Sequence, residues 1–155
     1  MALHHRLIGK AARLFWRVRR ARTLGVRAIL RDSADRIALV RHTYGNYWYL
    51  PGGGVKKGED FVTALHRELE EEVGITGAEI ERLVGVYHSR REGKDDHVLV
   101  FALRAPDGAE LRKADTLEIE AVGWFAPDAL PPETSPATRR RIDERDWGTL
   151  GSGDW

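Results

Sequence analysis

Residues 53–75 read GGVKKGEDFVTALHRELEEEVGI, and this stretch carries the clearest structural pattern in the chain. Leu65, Leu69 and Val73 stand four residues apart, which is the spacing of an apolar stripe on a helix. Asp60 is a suitable N-cap, and Gly74 stands where a helix commonly ends in a left-handed residue. The sequence therefore predicts a helix that begins after Asp60 and ends before Gly74.

Three carboxylates lie on one side of this predicted helix. Glu68, Glu71 and Glu72 are at positions i, i+3 and i+4, so they share about one turn. Like charges at this spacing repel unless a cation neutralises them or one carboxylate keeps its proton. Oxygen ligands favour a hard ion such as Mg²⁺, with Mn²⁺ as the alternative. A solvated, Glu-rich surface is the competing interpretation of the same residues.

A glycine turn precedes the helix. Pro51, Gly52, Gly53 and Gly54 follow an apparent strand over residues 47–50. Glycines permit unusual backbone angles and let main-chain groups approach a ligand closely. Turn and helix together predict a site for a metal ion and a diphosphate group.

The spacing of the whole segment resembles the Nudix box. The matching residues are Gly53, Glu59, Arg67-Glu68-Leu69, Glu71-Glu72 and Gly74-Ile75. The resemblance implies an α/β fold in which an α/β/α sandwich surrounds a mixed β-sheet. It also implies a metal-dependent hydrolase that cleaves the pyrophosphate bond of a nucleoside diphosphate linked to another moiety.

The resemblance further implies roles for individual residues. The metal ligands that it implies are Glu68, Glu71, Glu72 and the main-chain carbonyl of Gly52. Arg67 would orient the helix carboxylates through ion pairs, and Glu59 would help to position the loop and Arg67. Support of the helix through an i, i+4 pair with Glu71 is the simpler role for Arg67.

A further carboxylate from outside the box often completes such a site. Glu118 resembles the acidic residue that MutT-type members use near the metal ions, and Glu120 is the alternative. The base that takes the proton of the attacking water is either Glu71 or Glu118, because a metal-bound water has a lowered pKa. The predicted catalytic residues are Glu71, Glu72, Arg67 and Glu118, and Glu118 is also a predicted metal ligand.

Length and composition favour one ordinary domain. The chain has 155 residues, of which 42% are hydrophobic, and this is enough for a single core. It contains no run of about 18 apolar residues and no signal-peptide pattern. The absence of cysteine excludes disulfides and thiolate chemistry, and it favours a cytoplasmic enzyme.

The N-terminal segment is strongly basic, although the net charge of the chain is only +1. Residues 1–31 hold nine Lys or Arg and no acidic residue. Apolar residues at helical spacing predict a basic amphipathic helix over residues 1–22. Its alternative roles are peripheral contact of residues 1–20 with an anionic membrane, contact with RNA phosphates, and packing on the acidic domain or on a second subunit in a homodimer.

The pattern over residues 23–146 predicts the body of the Nudix-like domain. Two strands, 23–31 and 36–42, form a hairpin whose inward positions are Val26, Ala28, Leu30, Ile37 and Leu39. Further strands are predicted over 79–89, 97–104 and 118–125, and a helix over 135–145. Residues 147–155 are rich in glycine and predict a flexible C-terminal tail.

Four aromatic residues, Tyr44, Tyr47, Trp48 and Tyr49, lie just before the glycine turn. An exposed ring at this place could stack on a nucleobase. Packing within the strands is the commoner role of such residues.

The sequence defines the substrate less well than the reaction. Position 90 is Arg, so the proline of ADP-ribose enzymes and the nearby tyrosine of dinucleoside polyphosphate enzymes are both absent. Thr134 stands where MutT-type enzymes carry an asparagine that reads a purine. We expect a nucleoside triphosphate, with a nucleotide sugar, ADP-ribose and the 5′ end of RNA as alternatives. A non-catalytic nucleotide sensor is disfavoured because the box is intact.

Overall fold

The computed structural model describes residues 22–89, 95–144 and 149–155 of the chain. The predicted basic helix over 1–22 lies outside the described residues, except for Arg22, with which the first strand begins.

The described residues form one mixed sheet of seven strands and two helices. The strands are β1 (Arg22–Arg31), β2 (Ile37–His42), β3 (Trp48–Tyr49), β4 (Glu79–Ser89), β5 (Asp95–Arg104), β6 (Ile119–Phe125) and β7 (Gly151–Asp154). The helices are α1 (Phe61–Val73) and α2 (Pro136–Asp143).

Strand β1 lies inside the sheet, whose order is β3-β2-β1-β5-β4-β7, with β6 paired to β2. It pairs in parallel with β5 along its whole length, from Arg22 opposite Asp95 to Arg31 opposite Arg104. The pair of β4 with β7 is also parallel, whereas the other pairs are antiparallel. The predicted mixed sheet is therefore confirmed.

Helix α1 has the ends that the sequence predicts. The side chain of Asp60 accepts a hydrogen bond from the Thr63 N–H at 2.9 Å, and Gly74 ends the helix in the left-handed region at φ +70°. Leu65, Leu69 and Val73 are buried, as their spacing indicates. Neither described helix is long and apolar enough to cross a membrane.

The two helices cover opposite faces of the sheet, which confirms the predicted sandwich. Leu65, Leu69 and Val73 join a core with Val26, Ala28 and Leu30 of β1. Ile142 of α2 joins a second core that contains Ile37 and Leu39 of β2. The inward residues of the hairpin are thus divided between two cores, because both faces of this sheet are buried.

The C-terminal residues differ from the predicted flexible tail. Gly151–Asp154 form β7, which runs parallel to β4 from Gly85 to His88. Trp155 continues this contact, because its N–H donates to the His88 carbonyl at 2.9 Å and its ring lies 6.1 Å from that of Tyr87. The pairing uses main-chain groups and close approach at glycine, so no apolar alternation marks this strand in the sequence.

Candidate active site

The glycine turn runs along β1 and is bonded to it. The Val26 N–H donates to the Gly53 carbonyl and the Ala28 N–H to the Pro51 carbonyl, each at 2.9 Å. Gly52 has φ +136°, and a side chain at this position would overlap the Val26 carbonyl. Only glycine therefore fits at position 52.

The same turn packs directly on α1. A side-chain carbon added at Gly53 would lie 2.7 Å from the carboxyl group of Glu68. The Gly52 N–H donates to Oε2 of Glu72 at 2.7 Å. The structure thus brings together the turn and the helix carboxylates that the sequence assigns to one site.

Arg67 is the centre of an ion-pair network at the exposed side of this site. Its guanidinium lies 2.8 Å from Glu59, 2.7 Å from Glu68 and 2.9 Å from Glu71. It also donates to the Gly54 carbonyl at 3.1 Å. Hydrogen bonds from Arg67, and then from the Lys56 N–H, lower the pKa of Glu59 to about 2. The contacts implied for Arg67 are present, whereas its role in catalysis stays a prediction.

Glu72 has the opposite environment, because only 8% of the residue is exposed. Burial raises the pKa of Glu72 to about 7, and the charge of Arg27 and the Gly52 N–H reduce this rise. The negative charges of Glu68 and Glu118 add to it. The site therefore contains a carboxylate whose ionised form is costly unless a cation lies nearby.

Arg27 on β1 is a residue of the site that the sequence analysis did not find. Its Nη1 donates to the Gly52 carbonyl, and also to the Leu50 carbonyl at 3.3 Å. The Gly52 carbonyl is the predicted main-chain metal ligand, so Arg27 contacts a group assigned to the cation. The signal in the sequence is an arginine directly flanked by Val26 and Ala28 within β1, and such a residue commonly indicates a solvated position.

His42 at the end of β2 is a second such residue. It is only 8% exposed, and its Nε2 lies 3.6 Å from Oε1 of Glu72. Its Nδ1 is buried without a hydrogen-bond partner among the described residues. Burial, followed by the positive charge of Arg27, lowers the pKa of His42.

A cleft of about 710 Å³ lies beside α1, and Glu68, Glu71, Glu72 and Glu118 all line it. Asp115 fixes the segment before Glu118, because its carboxylate accepts hydrogen bonds from the N–H groups of Leu117 and Glu118 at 2.9 and 3.2 Å. Glu120 instead forms an ion pair with Arg41 at 3.0 Å. The structure therefore places Glu118 beside the box carboxylates and gives Glu120 a different partner.

The site fits a divalent cation by donor type rather than as a preassembled cage. Within the described ranges, no three His, Asp or Glu side chains converge closely enough to hold a metal ion. Arg67 engages Glu68 and Glu71, while the Gly52 N–H engages Glu72. The site nevertheless offers the oxygen donors that a hard divalent ion prefers. Such an ion would also stabilise the ionised form of the buried Glu72.

Comparison with known proteins agrees with this geometry. The sequence profile of the NUDIX domain family matches residues 21–145, which is most of the chain. The fold, the box and this match define a hydrolase that acts on pyrophosphate bonds. The chain belongs to the Nudix family.

Relatives with different named substrates share the domain. A Bacillus subtilis (strain 168) protein, provisionally named an 8-oxo-dGTP diphosphatase, is 29% identical over 122 residues, which are 79% of this chain and 78% of the relative. The crystal structure of a MutT NUDIX hydrolase from Burkholderia pseudomallei has 30% identity and a TM-score of 0.64, and the match covers 78% of this chain and 95% of that one. A solved UDP-X diphosphatase has 26% identity and a TM-score of 0.69, with coverage of 86% and 68%.

Proposed function

We propose that the protein hydrolyses the pyrophosphate bond of a nucleoside triphosphate, as the favoured case of a nucleoside diphosphate linked to another moiety, with Mg²⁺ as the favoured ion. The observation that carries this proposal is the burial of Glu72 against the glycine turn, in a cleft also lined by Glu68, Glu71 and Glu118. Such a set of acids is unfavourable without a cation, and the anionic substrate needs the same cation.

The side chains of the site have separable tasks in this reaction. When bound, Mg²⁺ neutralises phosphoryl oxygens and lowers the pKa of the attacking water. Glu68, Glu71, Glu72 and Glu118 would hold it, and Mn²⁺ would suit the same oxygen donors. Arg67 holds Glu68 and Glu71 in fixed positions on α1, because Glu59 and the Gly54 carbonyl fix Arg67 in turn.

The proton of the water goes to Glu71 or Glu118, since both line the open cleft. Glu72 is less suited to that step, because it is buried against the glycine turn, whereas about half of the Glu71 side chain is exposed. Glu72 therefore suits the role of a metal ligand, and its loss would still remove catalysis.

The relatives support a nucleotide as the substrate, and one buried side chain bears on which base is recognised. The B. subtilis relative and the UDP-X diphosphatase carry names that refer to nucleotides. Thr134 is buried, and its hydroxyl donates to the Pro131 carbonyl at 2.8 Å. This hydroxyl is thus engaged within the protein, which argues against recognition of an oxidised guanine at this position.

RNA is a weaker alternative. A Pelagibacter ubique (strain HTCC1062) protein named RNA pyrophosphohydrolase is 40% identical over 57 residues, but these are only 37% of this chain and 36% of the relative. The matched part is too short to carry the whole activity of that relative to this chain. Contact of the basic N-terminal segment with RNA or a membrane, and a homodimer, stay predictions.

A product-resolved screen tests the proposal. Purified full-length protein is incubated with nucleoside triphosphates, nucleotide sugars, ADP-ribose and 5′-triphosphorylated RNA, with Mg²⁺, with Mn²⁺ and with a chelator. We expect a nucleoside triphosphate to give a nucleoside monophosphate and pyrophosphate, and only with metal present. Metal-independent release of the same products would contradict the proposed site. Tight nucleotide binding without turnover would instead indicate a sensor.

A further inference from the structure

The four aromatic residues before the glycine turn have different environments. The Trp48 ring packs edge-on against Phe125, with ring centroids 5.0 Å apart at an angle of 70°. Tyr49 is half-buried and contacts His42, with ring centroids 5.9 Å apart. Tyr44 and Tyr47 are 76% and 47% exposed. Packing within the protein thus explains Trp48 and Tyr49, but it does not explain the most exposed ring, that of Tyr44.

The Tyr44 ring is held flat against a buried partner. It stacks on His42 with centroids 5.1 Å apart and an angle of only 18° between the planes. A turn fixes this arrangement, because the Gly45 N–H donates to the His42 carbonyl at 3.2 Å and the Thr43 N–H donates to the Glu118 carbonyl at 2.9 Å. One face of the Tyr44 ring is therefore covered, while its high exposure leaves the other face open to solvent.

The same ring lies at the edge of the candidate active site. His42, on which Tyr44 stacks, has its Nε2 3.6 Å from Oε1 of Glu72. Partial desolvation of the phenol, followed by the negative charges of Glu118 and Glu72, raises the pKa of Tyr44. A flat group on the open face of Tyr44 would therefore be separated from His42 by the Tyr44 ring, and Glu118 and Glu72 are near enough for their charges to act on the Tyr44 phenol.

We propose that the open face of Tyr44 binds the nucleobase of the substrate by stacking, with His42 as the layer behind it. This inference rests on the proposed function and adds to it the part of the chain that holds the base. A pair of parallel rings offers a planar apolar surface without directed hydrogen bonds, and every base has a π-face. We therefore expect purines and pyrimidines to bind with similar affinity at this surface.

Affinity measurements without turnover test this stacking. The probes are the non-hydrolysable α,β-methylene analogues of ATP and UTP, with tripolyphosphate as the probe that lacks a base and a sugar. Titration calorimetry with Mg²⁺ is carried out on the full-length protein and on Tyr44→Leu, Tyr44→Phe and Tyr47→Leu. Loss of base stacking is expected to weaken nucleotide binding by about 5- to 150-fold. We therefore expect Tyr44→Leu to reduce the preference for nucleotide over tripolyphosphate by at least about 5-fold.

The controls separate stacking from general damage. Tyr44→Phe keeps the ring and should restore most of the preference, whereas Tyr47→Leu removes a second exposed tyrosine and should leave it unchanged. The proposal is overturned if Tyr44→Leu keeps the preference, if it weakens both ligands equally, or if the wild-type protein binds no nucleotide. If the product-resolved screen shows no turnover, only the proposed function is rejected. The stacking proposal is still tested, because these affinities do not depend on hydrolysis.

Discussion

Two acids of the same box, Glu59 and Glu72, have opposite electrostatic environments. Glu59 lies beside Arg67, whose hydrogen bonds lower the pKa of Glu59 to about 2. Glu72 is buried, and burial raises its pKa to about 7. The residue type is the same, so the difference comes from the neighbours alone.

This difference divides the site into two parts. On the side of Arg67, the protein supplies the positive charge itself, and the carboxylates are held in place before any ligand arrives. On the side of Glu72, a main-chain N–H, a histidine whose pKa is lowered and the charge of Arg27 do not offset burial, and the pKa of Glu72 stays raised to about 7. The buried part of the site is therefore the part that most needs a cation from outside.

The largest expected effect follows from removal of the charge of Glu72. Glu72→Gln keeps an acceptor for the Gly52 N–H but loses the negative charge, so we expect turnover to fall by about 10²- to 10⁴-fold. Initial rates on the best substrate of the screen measure this. Glu70→Gln, an exposed change on the same helix, is the matched control. A Glu72→Gln protein with the wild-type rate would reject the assignment.

The pH dependence of stability tests the buried acid without substrate. Because the folded pKa of Glu72 is about 7 and its ordinary value is 4.5, the folded state binds this proton more tightly. The contribution is fully present below pH 4.5 and is lost as pH rises through 7, with a total of about 3 kcal/mol.

Urea unfolding in chelator therefore compares the wild type with Glu72→Gln at several pH values. We expect the variant to gain about 3 kcal/mol relative to the wild type between pH 4.5 and pH 8. Added Mg²⁺ should stabilise the wild type at pH 8 and so reduce this gain. A pH-independent difference in the free energy of unfolding between the two proteins would show that burial does not raise the pKa of Glu72.

A smaller effect is expected on the exposed side. Arg67→Gln removes the cation between Glu59, Glu68 and Glu71, and loss of such a supporting group typically lowers activity by about 10- to 100-fold. The pKa of Glu59 should rise from about 2 toward 4.5, which carbon-13 NMR titration of the carboxyl group measures. If the pKa of Glu59 stays near 2 in this variant, a group other than Arg67 stabilises the ionised carboxylate.

The smallest effect distinguishes two acids near β6. Glu118 lines the cleft, whereas Glu120 pairs with Arg41 at the surface. We expect Glu118→Gln to lower turnover by about 10-fold. Glu120→Gln should leave turnover within a factor of about two, because exposed ion pairs contribute little. Equal losses in both variants would remove the distinction between them.

The sequence was sufficient to predict α1 and the residues on it. Asp60 and Gly74 have strong local preferences, and the apolar spacing between them fits one period. The glycine turn and Glu68, Glu71 and Glu72 were brought into one site by their positions in the box. The family match and the solved structures confirm the predicted family and the sandwich fold.

Other features depend on contacts between distant residues and could not be predicted in this way. Arg27 reaches the Gly52 carbonyl only because β1 lies beside the turn, 25 residues away along the chain. His42 contacts Glu72 from another strand. Strand β7 pairs through its main chain, so its residues, Gly-Ser-Gly-Asp, show no strand pattern. Local preferences contain no information about such neighbours.

The close contact between Gly53 and Glu68 affects how this segment can be exchanged between proteins. The carboxyl group of Glu68 fills the space that a methyl group at position 53 would need. A graft of the helix alone onto a loop that carries a side chain at position 53 would therefore misplace Glu68, even if every residue of the helix were kept. The glycine turn and α1 therefore form one structural unit. Engineering that transfers the carboxylate site to another protein must transfer both together.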